Sequence, residues 1–254
     1  MNVVSSFTND GYDLYGKKFI ESFLTYWPES VQLTIYYEGG SSPISDPRVI
    51  VKNISEVQFH DYFMSQLTFP IMHGKIGGGY NINYDARMAR KVLIQMHAMK
   101  TMGGKIFWVD ADSITFNQLP IEFMEECLPD QYFNCYLGRD GWYYTESGFI
   151  GFNANHQIAE SFYNTYISIF LKGLIFTQQG WHDCFGFDLA RSQFDKVHFK
   201  NLAQGLPHGT MHPFVNSDLG KYMDHRKGPR KTSRSTAKDL VIQREESYWR
   251  ESKA

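Results

Sequence analysis

The chain has 254 residues, a formal net charge of −2 and 16% aromatic residues. That length buries a sizeable core, and the near-neutral balance supplies no global field to select nucleic acid or a membrane surface. The three cysteines, Cys127, Cys135 and Cys184, match no zinc spacing and leave an odd thiol, which favours a reducing compartment.

The first residues lack a basic segment followed by a long apolar run, and no stretch reaches the roughly 18 apolar residues of a membrane span. A soluble, cytoplasmic protein is the expectation. In chain order, residues 3–7 predict a first strand and 8–11 a loop. Leu14, Phe19, Phe23 and Tyr26 recur at helical spacing up to Trp27 and Pro28. Residues 31–37, rich in β-branched and aromatic side chains, predict a strand, 48–51 another, and 55–67 a helix. This alternation implies an α/β sheet with right-handed crossovers.

Residues 68–83 carry Gly77, Gly78 and Gly79 and predict a loop, but no Gly-Lys-Ser/Thr follows as a nucleotide-triphosphatase phosphate loop requires. Residues 84–102 predict a helix closed by Gly103 and Gly104, with an apolar stripe of Met88, Val92, Met96 and Met99. Arg87, Arg90 and Lys91 fall on its neighbouring turns. Further on, 132–137 and 149–152 predict strands, and 156–171 and 181–191 helices.

Ile106-Phe-Trp-Val109 predicts a short buried strand that ends in Asp110-Ala-Asp112. Where a strand ends, two carboxylates one residue apart can face the same cleft, and paired hard oxygens suit a divalent cation with a diphosphate. A polar loop is the plainer use of the same residues. From Lys221 to Lys238 the chain collects Lys221, Arg226, Lys227, Arg230, Lys231, Arg234 and Lys238 against Asp224. Such a run serves either as a solvated tail or as a phosphate-binding segment, for a diphosphate or a nucleic-acid backbone. The division expected is therefore 1–220 as the domain and 221–254 as a basic extension.

Four features follow one another: the acidic pair, Thr145-Glu-Ser-Gly-Phe-Ile-Gly-Phe-Asn153, Gly180-Trp-His-Asp-Cys184, and His212 followed by Gly220-Lys221. Their order resembles the GT-A nucleotide-sugar glycosyltransferases, above all the glycogenin-like and bacterial galactosyltransferase-like enzymes. Those have an Asp-x-Asp, an Asn-Ser-Gly strand, an Asp-Gln-Asp-like turn, and a C-terminal His then Gly and Lys. Here Glu146 stands in the asparagine's place, and His182-Asp183-Cys184 matches one acid only.

The resemblance implies a three-layer α/β/α fold around a mixed, mostly parallel sheet. It implies Mn²⁺, or Mg²⁺, held by Asp110, Asp112 and His212, and a nucleoside-diphosphate sugar, with UDP as the favoured nucleotide. Thr8 and Tyr12 would meet the nucleoside and Asp110 the ribose; Lys221, with Arg87 or Lys91, would neutralise the diphosphate. Asp183 would hold donor sugar hydroxyls and Glu146 would contact the acceptor, with a retaining course. Asp183 could equally cap a helix, Glu146 could be a surface carboxylate, and Trp142, Tyr143 and Tyr144 a packed hairpin. The acceptor hydroxyl is open between a glycan, a lipid-linked sugar, a protein and, through the basic run, a modified nucleic-acid base. Two rival readings stand beside the enzyme: a non-catalytic nucleotide-sugar or glycan-binding module, and a haloacid-dehalogenase-type phosphatase. The phosphatase class places its Asp-x-Asp on the first strand.

Overall fold

The computed structural model describes residues 1–39, 44–66, 82–139, 143–178 and 182–250, without the side chains of 66, 82–87 and 176. The glycine loop expected at 68–83 lies almost wholly outside the described residues.

Strand β1 (Asn2–Phe7) leads through a short helical turn and a π-helical turn, Tyr12–Gly16, into helix α1 (Lys17–Tyr26). β2 (Gln32–Tyr37) and β3 (Val49–Asn53) follow, then α2 (His60–Gln66) and the long α3 (Ile82–Met102). Gly103 and Gly104 stop α3 at φ +68° and +66°, a left-handed turn that favours glycine. Next come β4 (Lys105–Val109), β5 (Ser113–Thr115) and α4 (Ile121–Cys127). A hairpin of β6 (Asn134–Arg139) and β7 (Tyr143–Asn153) precedes α5 (Ala159–Leu171) and α6 (Asp183–Arg191). β8 (Phe199–Asn201), the single-turn α7 (Pro213–Asn216) and β9 (Met223–His225) complete the frame.

Seven strands form one sheet in the order β3-β2-β1-β4-β7-β6-β8. β3, β2, β1 and β4 run parallel, and β7 runs against both its neighbours. The sheet is mixed and mostly parallel and is covered on both faces, as the family resemblance implies. Alternation along the strands feeds two cores. Val4, Ile106 and Trp108 face the layer of α3 and α5, whereas Val3, Phe107 and Val109 face that of α1 and α4.

The strand order reverses between β1 and β4, which opens a crevice at their carboxyl ends, where open α/β sheets bind ligands. Ser5 Oγ donates to the Val109 carbonyl at 2.6 Å and ties the two strands together there. The second sheet, β5 with β9, lies just beyond, with Ser113 opposite His225.

The boundary expected between 220 and 221 is not a structural one. β9 pairs within the domain, and Trp249 is buried in the core, with its Nε1 donating to the Gly220 carbonyl at 2.7 Å. What reads as an extension from composition is the segment that closes the fold. Among the described residues no helix is long and apolar enough to cross a membrane, and all three cysteines are unpaired.

Candidate metal and donor site

Asp110 ends β4 at the crevice. Its amide donates to the Gly148 carbonyl on β7, and Ser113 N returns a bond to the Asp110 carbonyl, turning the chain so that both carboxylates converge. The two Asp110 oxygens have different partners. Oδ1 accepts from Lys91 Nζ at 2.7 Å and from Trp108 Nε1 at 2.6 Å. Oδ2 faces His225 Nε2 at 3.6 Å, and Asp112 Oδ1 lies 3.2 Å from the same nitrogen.

One ligand atom from each of Asp110, Asp112 and His225 falls within 4.8 Å of the others. Two hard carboxylates and one imidazole form a borderline donor set that fits Mn²⁺ and, less well, the oxygen-preferring Mg²⁺. The Asp-x-Asp pair expected from sequence is thus brought together with a histidine, but with His225 and not with His212.

His212 precedes α7 and is buried; its Nε2 lies 3.2 Å from the His225 carbonyl and its ring centroid 5.9 Å from that of His225. Pro213 starts the helical turn at once, and the His212 imidazole supports β9 through that contact. Burial, with help from the Lys227 charge, holds its pKa down at about 3, which leaves the ring neutral. With Nε2–H donating to that carbonyl, Nδ1 has no hydrogen-bond partner among the described residues.

The antiparallel β5–β9 ladder places His225, and Arg226 N donates to the Asp112 carbonyl at 2.9 Å to close it. Gly148 makes the approach possible: a Cβ there would lie 2.5 Å from His225 Nδ1. Burial opposes a charge on His225, but Asp112 and Glu146 outweigh it and raise the pKa to about 9. His225 in turn, with Lys231, holds the Asp112 carboxyl well below its usual range against its own burial.

Lys91, buried on α3, bridges Asp110 and Asp183, reaching Asp183 Oδ2 at 3.0 Å. It also donates to the Ser147 carbonyl at 2.8 Å. Burial disfavours its charge, and the two aspartates reverse that and raise its pKa. Asp183 is the first residue of α6 with His182 at the cap position, so its carboxylate serves Lys91 and makes no cap. Lys91 therefore fixes the acids, where a lysine free for the diphosphate was expected. The Arg87 side chain lies outside the described residues.

Glu146, expected at the acceptor, is 5% exposed on β7. Its Oε2 pairs with Lys227 and with Arg139 Nη2, the latter at 2.5 Å. Those partners overcome burial and keep the carboxyl well below its usual pKa. A carboxylate closed in by two cations does not present itself to an acceptor. The alternative of a surface carboxylate falls for the same reason.

Lys221 also departs from expectation. It is half exposed and pairs with Asp218 at 2.6 Å, away from the acid pair. Lys231 instead reaches Asp112 Oδ2 at 3.4 Å and lies over the Tyr15 ring. Thr8 stands at the end of β1, its Oγ1 accepting from Gly11 N at 3.1 Å as a helix cap, with Tyr12 on the next turn, 6.0 Å from the Phe7 ring. The basic run is largely engaged inside the molecule: Lys227 with Glu146, Arg230 with Asp239, Lys231 with Asp112, and Arg234 with the Tyr248 carbonyl. It is not a free tract for a nucleic-acid backbone. Tyr143 and Tyr144 lie on β7, with the Arg139 guanidinium 5.6 Å from the Tyr143 ring centroid, and Trp142 lies outside the described residues.

One sequence signal would have found His225. The order His, Gly, Lys occurs a second time, more tightly spaced, at His225, Gly228 and Lys231.

No protein-family model matches the chain, and no curated protein matches it in sequence. Solved structures do. Mouse xyloside xylosyltransferase 1, in its apo form, superposes with a TM-score of 0.51 at 12% identity, over 80% of this chain and 85% of that one. The galactosyltransferase LgtC, solved with donor and acceptor sugar analogues, gives 0.51 at 13% identity, over 96% and 84%. The bifunctional glycosyltransferase WbbM gives 0.50 at 10% identity, over 80% of this chain and 38% of that much longer one. The fold is that of the GT-A glycosyltransferases. An acid pair on the fourth strand, beside an antiparallel neighbour, also differs from the first-strand placement of the phosphatase class.

Proposed function

We propose that the chain is a metal-dependent glycosyltransferase. It would move a sugar from a nucleoside-diphosphate sugar, with UDP the favoured nucleotide, to a hydroxyl of a glycan, a lipid-linked sugar or a protein. One observation carries this reading: Asp110, Asp112 and His225 meet at the carboxyl end of β4, beside that of β1, with lysines on either side. Fold alone would not carry it, because function belongs to the site.

A divalent cation bound by these three residues would stabilise the negative charge that grows on the departing diphosphate. The chain's own residues supply the rest. Lys91 and Trp108 hold Asp110 Oδ1, so Oδ2 is the oxygen left for a ligand. Lys231 balances Asp112. When that carboxylate binds a cation instead, the lysine ammonium becomes a mobile point charge for phosphate oxygens. Thr8 and Tyr12 border the place of the nucleoside. Asp183, paired with Lys91, would orient donor sugar hydroxyls in a retaining course.

Calorimetry with UDP, with and without Mn²⁺, tests the donor site: tight binding only with the metal is expected, and equal binding without it refutes the metal role. A panel of nucleotide sugars, read by mass spectrometry of candidate acceptors, then identifies the substrates. Proton NMR of the first product reports its anomeric configuration, and an inverted product would end the retaining assignment.

A further inference from the structure

His225 meets the acid pair through one ring nitrogen and turns the other back into the protein. Nε2 lies 3.2 Å from Asp112 Oδ1, whereas Nδ1 lies 3.3 Å from Glu146 Oε1. The latter is an ion-pair distance, and Nδ1 has no hydrogen-bond partner of good geometry among the described residues. The carboxylate itself is oriented from its far side. Its Oε2 is held by Arg139 and Lys227, and Arg139 is anchored in turn on the Tyr144 and Met211 carbonyls. None of those groups touches Asp110 or Asp112 in any contact described above. Oε1 is left facing the imidazole.

An imidazole that ligates through Nε2 must be unprotonated there and carry its proton on Nδ1. A carboxylate at Nδ1 selects that tautomer, stops the ring rotating and makes Nε2 more basic. We propose that Glu146 is a positioning residue for His225, setting the tautomer and aim of the metal-binding imidazole, an inference that rests on the metal-dependent reading above. The residue departs from the asparagine that the family resemblance leads one to expect. Asparagine is one methylene shorter and neutral, so it would neither span the same gap nor favour the Nδ1 proton electrostatically. The Glu–His pair thus strengthens the cation site without adding a ligand to it.

Mn²⁺ titration of the intact protein, followed by the electron paramagnetic resonance of the free ion, tests this without any substrate. Glu146→Gln is expected to bind Mn²⁺ roughly 10–100-fold more weakly than wild type. Wild-type affinity in a folded Glu146→Gln would overturn the inference and leave the metal reading intact. No Mn²⁺ binding by the wild type would overturn both. Because Glu146→Gln also weakens the support of Arg139, a second measurement uses the unaltered protein. With ¹⁵N-labelled histidine and Zn²⁺ as a diamagnetic substitute, His225 is expected to show a protonated Nδ1 and a metal-shifted Nε2. The reverse assignment would overturn the inference.

Discussion

The imidazole of His225 occupies the space that a side chain on Gly148 would fill. Ser147-Gly148 is part of the strand motif legible in the sequence, and its glycine admits a ligand from a strand far along the chain. Gly148→Ala is therefore expected to push the ring off the acid pair. Overpacking of this kind costs about 1–3 kcal/mol. A lowered melting temperature with Mn²⁺ binding lost is the expected result, and unchanged Mn²⁺ affinity would contradict the placement.

His225 and His212 should separate cleanly. His225→Ala is expected to abolish measurable Mn²⁺ binding while the sheet stays folded. His212→Ala is expected to destabilise the protein by roughly 1–3 kcal/mol, because it leaves the buried His225 carbonyl without its donor. It should reduce Mn²⁺ affinity far less than His225→Ala. Calorimetry on both variants decides, and the opposite pattern would return the ligand role to His212.

Lys231→Ala is expected to lower turnover more than donor affinity, since a charge near the leaving diphosphate matters most as the bond breaks. Lys221→Ala, at an exposed ion pair with Asp218, is expected to behave as wild type. Steady-state kinetics of the two, side by side, give the answer.

The two buried histidines predict opposite pH limbs for the metal-free protein. The pKa of His212 falls from 6.5 to about 3, so the unfolded chain takes up the proton first, and stability is lost as pH drops from about 6.5 toward 3. That of His225 rises from 6.5 to about 9, so its contribution is complete below 6.5 and is lost as pH rises through about 9. Denaturant melts across this range should show the alkaline limb vanish in His225→Ala and the acid limb shrink in His212→Gln.

Much of the frame was legible because it is local. The runs at 31–37 and 106–109, the helix ended by Gly103 and Gly104, and the acid pair each carry their signal within a few neighbouring residues. The three-residue strands β5 and β9 do not. Met223-Asp-His225 shows no alternation and no apolar run, and it is defined only by pairing with a segment more than a hundred residues earlier. For the same reason the family resemblance led to His212, followed by Gly220 and Lys221, and not to His225. The partners of Lys221 and Glu146 were not legible because charge in a sequence does not reveal what pairs with it: Asp218 takes one, and Arg139 and Lys227 enclose the other.

The β5–β9 ladder also orders events in time. During synthesis Asp110 and Asp112 leave the ribosome long before His225, and the central sheet can assemble while the cleft still lacks its imidazole. A nascent chain interrupted after β8 would therefore present a formed sheet in which Lys91 already balances Asp110 while Asp112 lacks both His225 and Lys231. Cation binding at the proposed site would become available only when β9 docks, which would make affinity for Mn²⁺ a report that this strand is in place.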